Sequence, residues 1–323
     1  MNRKKTIHLL FLLLAGALTA CQREYPLTVP PAPQLLVVNG LFCQDSVWRV
    51  QVSLPRTVAD TALRFAPVRD AQVEIWVADS LVETLSHTGA GWYEGKTFPQ
   101  VGITYRLAAE AEGFPTATAE DRIPRPAEAL TGYMDTTERL SRIDGTLGPS
   151  GSIWYPVYVS FLDPASEPSF YRFLGAKYDS AVYTDGGGTE ILWIDSMYNE
   201  LEPSGYLSND ASMQRFDRDQ GTLLTTDAGV NGQRRETVLL ATNALFYFND
   251  LTRTGGSNNP RKIVELFVVL YTVSETYYQY AYSLLQQGYQ ATDPFATHNN
   301  VVSNVEGGLG IFAGYHRQMV RVF

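Results

Sequence analysis

The sequence predicts a mainly β protein, in which an N-terminal sandwich is followed by a larger β-rich domain with one amphipathic helix. Two observations carry this. Short β-branched and aromatic runs recur along the chain with turn residues between them, the pattern of antiparallel sandwich strands. A single stretch near the end places apolar residues at helical spacing instead.

The first element is a leader over residues 1–20. Arg3, Lys4 and Lys5 precede an apolar stretch from Ile7 to Ala20, broken only by His8 and Thr19. That three-part arrangement is a secretory signal, and Leu18-Thr19-Ala20-Cys21 makes it the lipoprotein kind. Cleavage before Cys21 is expected to leave a thiol carrying diacylglycerol and an amine carrying a third acyl chain of the palmitate class. Each buried methylene contributes about 0.8 kcal/mol, so several chains anchor a protein where one binds only marginally. Cys21 is therefore the expected lipidation site and membrane attachment. Residues 21–33 add four prolines, Pro26, Pro30, Pro31 and Pro33, which favour an extended tether.

Composition limits the partners. Losing residues 1–20 removes three of the 25 basic residues and none of the 34 acidic ones, so the net charge falls from −9 to −12. So acidic a chain repels phosphate backbones, which excludes nucleic acid. The longest later apolar run, Ile263–Val273, is about half the roughly 20 residues a spanning helix needs, and it carries Glu265. With Cys21 acylated, Cys43 is the remaining thiol, so no intramolecular disulfide is expected. The length suggests two domains stabilised by their cores.

The strands of the first domain, residues 34–126, are expected at Leu35–Asn39, Val47–Leu54, Ala71–Ala78, Ile103–Ala109 and Thr116–Ile123. Val73, Ile75 and Val77 alternate with Gln72, Glu74 and Trp76, the period of a half-buried strand. Gly89-Ala90-Gly91 and Glu112-Gly113 supply turns. Ile123-Pro124-Arg125-Pro126 is the expected boundary, because prolines do not join a central ladder. The second domain, residues 127–323, contributes strands at Trp154–Leu162, Phe170–Tyr178, Lys262–Val273 and Met319–Phe323. Asp185–Thr189, Asp217–Gly232 and Thr252–Arg261 are expected as exposed loops, and the segments Asp179–Thr189 and Asp217–Arg235 as places to look for ligand contacts.

The helix is expected over residues 273–287, with Thr272 and Glu275 forming a capping box and Gly288 closing the end. Tyr277, Tyr278, Tyr280, Tyr282 and Tyr289 on or beside it suit either a ligand-stacking face or a core with polar tips.

No catalytic signature emerges. A serine elbow requires Gly-x-Ser-x-Gly, and Gly148-Pro149-Ser150-Gly151 places its serine differently. Asp217-x-Asp219-x-Gly221 begins like a calcium loop, but Thr222 and Ala228 occupy the positions of the turn glycine and the bidentate carboxylate. His87, His298 and His316 lack local zinc spacing. Asp163, Glu167, Asp179 and Asp195 could pair for glycoside hydrolysis only if the fold gathered them. Cys43, at a strand end, reads as a buried inert thiol rather than a nucleophile. No catalytic, metal or cofactor residues are assigned.

Two segments carry a family resemblance. Leu35–Gly40, Asp70–Val73, Gly91-Trp92-Tyr93 and Gly102–Leu107 are similar to the immunoglobulin-like module of the carboxypeptidase-regulatory type. Together with Asn304–Tyr315, preceded by Tyr277-Tyr278-x-Tyr280, these segments resemble the Bacteroidetes lipoprotein family catalogued as domain of unknown function 4249, and the likeness covers nearly all of the mature chain. The resemblance implies a cell-envelope lipoprotein often encoded beside a TonB-dependent outer-membrane receptor. With the lipid anchor, the proline tether and the abundant Tyr and Trp, the expected function is a non-enzymatic outer-membrane accessory of such a receptor, capturing a carbohydrate or peptide nutrient or closing over the transporter. Gln22-Arg23-Glu24 resembles the signal for cell-surface display, with an inward-facing lipoprotein as the alternative. It implies no catalytic residues. A structural or adhesive envelope protein, and a surface glycosidase or esterase, are the competing readings. The glycines of the C-terminal segment are expected to permit close backbone approach, a structural lock rather than a site.

Overall fold

A computed structural model describes residues 34–56, 65–137, 140–141, 153–165, 167–184, 190–195, 206–208, 214–215, 223–229, 231–242, 261–290 and 300–323. Cys21 and the proline tether lie outside the described residues, as do His298, Ser150 and the Asp217–Gly221 segment.

The protein is mainly β with one described helix. Strands β1 (Leu36–Phe42), β2 (Arg49–Ser53), β3 (Gln72–Val77), β4 (Ser80–Gly89), β5 (Trp92–Glu94), β6 (Thr104–Glu110) and β7 (Ala117–Arg122) come first. They enclose a core of Leu36, Val38, Trp48, Val50, Val73, Ile75, Tyr93 and Leu107. The alternation read in β3 holds, since Val73 and Ile75 are fully buried while Gln72 is exposed.

β4 and β5 lie where sequence reading expected only a turn. Gly89-Ala90-Gly91 is indeed the turn, but it joins two strands. β4 escapes detection because Leu85 is its one buried residue, so no alternation marks it. Its first part pairs with β3 and its last part with β5, so one strand runs along both halves of the sandwich.

The second half contains β8 (Glu128–Met134), β9 (Leu140–Ser141), β10 (Ile153–Leu162), β11 (Phe170–Thr184), β12 (Glu190–Asp195), β13 (Tyr206–Ser208), β14 (Gln214–Arg215), β15 (Leu223–Thr226), β16 (Arg234–Thr242), β17 (Arg261–Val273), helix α1 (Glu275–Gln290) and β18 (Gly308–Arg321). One sheet runs β13-β16-β10-β8, with β9 beside β10. It packs on the β11-β17-β18 part of the large sheet through Val157, Val159, Phe161, Tyr171, Phe173, Leu239, Leu266, Val268 and Leu270. Helix α1 covers the other face of that large sheet.

Four local expectations are corrected. Leu223–Thr226, expected within a loop, is strand β15 with Leu223, Leu224 and Thr225 buried. Its apolar run is too short to register in a polar interval. Met319–Phe323 is not a separate strand, because β18 continues unbroken from Gly308 to Arg321. The helix is capped by Ser274, whose Oγ accepts the Tyr277 amide at 3.1 Å. Thr272 is held inside β17, buried, with its Oγ1 accepting the Ala127 amide at 3.3 Å. Gly288 lies within the helix instead of ending it.

β18 joins the halves of the fold. Its first seven residues pair in parallel with β1, from Leu36↔Gly308 to Phe42↔Gly314, and the rest pairs antiparallel with β17, from Val273↔Tyr315 to Phe267↔Arg321. Such proximity requires glycine. At Gly310, where φ is +115°, an added Cβ would sit 2.0 Å from the Val38 carbonyl oxygen, and at Gly314 it would sit 2.3 Å from that of Arg122.

Candidate functional site

Several of the described residues singled out in the sequence hold structural positions. Tyr277 is buried, and Tyr278 and Tyr280 pack with it against Val273, Ile311 and Ala313, so the described tyrosines of the helix stripe belong to a core. Burial pushes the Tyr278 and Tyr280 hydroxyls up, with neighbouring tyrosines adding to the effect.

Asp163 is buried and accepts hydrogen bonds from the Tyr171 hydroxyl and, at 2.8 Å, from the Gly232 amide. Burial first, and the Asp163 carboxylate second, push the Tyr171 hydroxyl strongly up. Glu167 pairs with Arg122. Asp179 and Asp195 are register partners on β11 and β12. Asp179–Thr184, expected at a contact loop, lies within the β11–β12 ladder, and Arg235 at the end of the other expected loop is buried, donating to the Thr226 carbonyl at 2.7 Å.

Cys43 is buried with its Sγ 3.4 Å from the Ser46 Oγ. The His87 ring lies 5.2 Å from that of Tyr93. Burial lowers the pKa of His316, partly offset by Asp45. Among the described residues no three His, Cys, Asp or Glu side chains group to hold a metal, and no helix is long and apolar enough to cross a membrane.

A crevice of about 250 Å³ lies at the start of α1. Its Asp121 carboxylate accepts from the Ser274 hydroxyl and, at 2.9 Å, from the Gly314 amide. Asp121, Ser274 and the Arg122–Glu167 pair are all occupied with joining elements, which gives this crevice a structural part.

The outer face of the β16-β10-β8 sheet is different. β10 turns Val157, Val159 and Phe161 into the core, so the alternate residues Tyr158 and Ser160 face outward. Pro156, which has no N–H to give, sits between the end of the β8 ladder at Val157↔Met134 and the β9 ladder at Trp154↔Leu140. Residues directly opposite across an antiparallel pair share a face. The register therefore makes one row of Tyr133, Tyr158 and Val238, and a second row of Thr131, Ser160 and Glu236. Two residues of rise separate the rows by roughly 7 Å.

The Tyr133 and Tyr158 rings stack at 4.9 Å with 17° between their planes, and Tyr133 is 59% exposed. Ser160 Oγ accepts from the Arg234 guanidinium at 3.1 Å, while the Thr131 hydroxyl donates to the Ser160 carbonyl at 3.4 Å. Together the two rows line a cavity of about 490 Å³, within the span of about 300–1,000 Å³ usual for ligand pockets. A flat aromatic surface beside hydroxyls and one carboxylate suits a ligand that is apolar on one side and polar along its edge.

A family model for a domain of unknown function, DUF4249, matches residues 22–321. The chain belongs to the DUF4249 family. No curated protein matches this DUF4249 chain. Among solved structures it is similar to a protein from Corynebacterium diphtheriae described as membrane anchored, at 10% identity and a TM-score of 0.21. That match covers 74% of this chain and 55% of the other, so the chain spans about half the length of that structure. It is also similar to a serine-rich repeat adhesion glycoprotein from Streptococcus agalactiae, at 11% identity and a TM-score of 0.16, covering 78% and 94% of the two chains. Superpositions this loose carry no argument about function.

Sequence reading missed the rows of this face in this DUF4249 chain, although a signal was present. In Leu130-Thr131-Gly132-Tyr133-Met134 and Val157-Tyr158-Val159-Ser160 the tyrosines fall on the polar phase of the alternation, the phase that faces away from the core.

Proposed function

We propose that this chain is a non-enzymatic lipoprotein of the outer membrane that captures a nutrient for a TonB-dependent receptor. Cys21 carries its lipid anchor, residues 21–33 hold the folded part away from the bilayer, and display is at the cell surface. Residues 34–126, their core completed by β18, serve as an immunoglobulin-like module. The observation that carries the capture role is the outward-facing Tyr133–Tyr158 stack lining a cavity of about 490 Å³. An exposed large aromatic brings contact area at low conformational cost, and aromatic anchors of this kind dominate binding energy at recognition surfaces. The leader and Cys21 support the anchor, and family membership over residues 22–321 is consistent with the resemblance that suggests a receptor partner.

The test is to purify the natively lipidated protein from gently solubilised outer membranes and identify its companions by mass spectrometry. A stoichiometric TonB-dependent barrel is expected, with acyl chains on Cys21. Recovery of the lipoprotein alone, together with unchanged receptor-dependent uptake in a deletion strain, would overturn the receptor role.

A further inference from the structure

We propose that the outer face of the β16-β10-β8 sheet binds a neutral oligosaccharide, with the Tyr133 ring as its stacking platform and the Thr131–Ser160–Glu236 row as its hydroxyl-binding edge. This rests on the capture reading and names the ligand class of the same face.

The two rows match the chemistry of a sugar ring, which is C–H on its flat face and hydroxyl around its rim. Tyr133 stacks one side of its ring on Tyr158, which fixes its plane. The row behind offers complementary partners. Ser160 Oγ accepts from Arg234 and keeps its own hydrogen to donate, whereas Thr131 donates its hydrogen to the Ser160 carbonyl and keeps lone pairs to accept. Glu236, exposed at the end of the row, accepts from hydroxyl donors, and hydrogen bonds to an ionised group are the stronger kind. Three strands spaced about 4.8 Å apart give a face about 10 Å wide, so more than one sugar unit can lie across it.

Charge argues against an anionic ligand. Arg234, a cation of this face, is held on Ser160 and stands two residues along β16 from the Glu236 carboxylate, and the whole chain carries a net charge of −9. Backbone pairing argues against an extended peptide. The ladder of β10 is occupied by β16 on one side and β8 on the other over Val157–Leu162, so a peptide lying over β10 finds side chains and no backbone ladder to extend.

The experiment uses the full lipidated protein in a detergent without a sugar head group. It is probed with short neutral oligosaccharides of hexose and pentose type, their sulfated counterparts, and a pool of unmodified peptides. A neutral oligosaccharide is expected to bind. Tyr133→Ala should weaken it by about 10-fold or more, since an exposed aromatic platform acts as a binding anchor, while Tyr133→Phe, which keeps the ring, should stay within about 2-fold. Glu236→Gln should weaken it by about 5-fold through loss of a charged acceptor. Absence of binding to every neutral oligosaccharide, or binding that ignores Tyr133→Ala, would overturn the proposal. A peptide or sulfated ligand lost in Tyr133→Ala would also overturn the sugar assignment while leaving capture at this face intact. The receptor role fails or stands separately, on whether a barrel co-purifies.

Discussion

The side chain of Ser274 both caps helix α1 and donates to the Asp121 carboxylate on β7. The same carboxylate oxygen accepts the Gly314 amide of β18 at 2.9 Å. One acceptor therefore fastens a strand of the first core, the shared strand β18 and the only described helix. A carboxylate here costs desolvation, and that cost ties the arrangement to pH.

Burial raises the pKa of Asp121, against the opposing hydrogen bonds from Ser274 and Gly314. A raised folded pKa means the native state keeps a proton that the unfolded chain has lost, so stability falls as pH rises from about 3.9, the ordinary aspartate value, through the raised one. Asp121→Asn keeps an acceptor oxygen without the charge. Urea midpoints measured from acid to neutral pH should show the wild type gaining on Asp121→Asn as pH falls. A difference between them that ignores pH would refute this account.

Ser274→Ala and Thr272→Val separate the two residues that compete for the capping role. Loss of a serine cap costs about 1 kcal/mol, and the unmatched Asp121 adds to it. Thr272→Val leaves the Ala127 amide without its partner, at about 1–3 kcal/mol. Both variants lose stability, but only Ser274→Ala should lose hydrogen-exchange protection at the Tyr277 amide. Faster exchange at that amide in Thr272→Val would restore Thr272 as the cap.

Gly310→Ala should cost about 3 kcal/mol or more, because a strained φ and a clash with a carbonyl act together. Gly102→Ala provides the comparison. Its φ of +80° is equally left-handed, but nothing lies within 4 Å of the added Cβ, so it should lose only about 1–2 kcal/mol. Equal urea midpoints for the two variants would show that the close approach of β18 to Val38 carries no cost.

What was legible in the sequence was whatever alternates locally. Val73 and Ile75 announce β3, and Tyr277, Ala281 and Leu285 announce the buried stripe of α1. β4 and β15 were hidden, the first because it buries so little, the second because its apolar run is so short. The cap was misplaced because Thr272 and Glu275 satisfy the capping spacing, while the ladder that keeps Thr272 in β17 is made with Tyr171 and His316, remote in sequence. The Tyr133–Tyr158 face was missed for the same reason. Each tyrosine sits on a separate strand, and only the pairing register brings them together.

The pairing of β18 with β1 leads to a last prediction, about a fragment of residues 34–126. In the full chain Phe312 is fully buried and its ring lies 4.5 Å from that of Phe42, while Val305 packs into the same core. Without them β1 loses its parallel partner along its whole length, and the first core loses a phenylalanine whose truncation alone costs about 3–5 kcal/mol. Domains have about 5–15 kcal/mol of stability to lose, so the fragment should give no cooperative urea transition and poorly dispersed amide resonances. Joining residues 304–323 ahead of residue 34, through a Gly/Ser linker long enough to recross the ladder, should restore both. Cooperative unfolding of the bare fragment at the midpoint of the full chain would mean that the first core is complete without β18, and that the Phe42–Phe312 contact is dispensable to it.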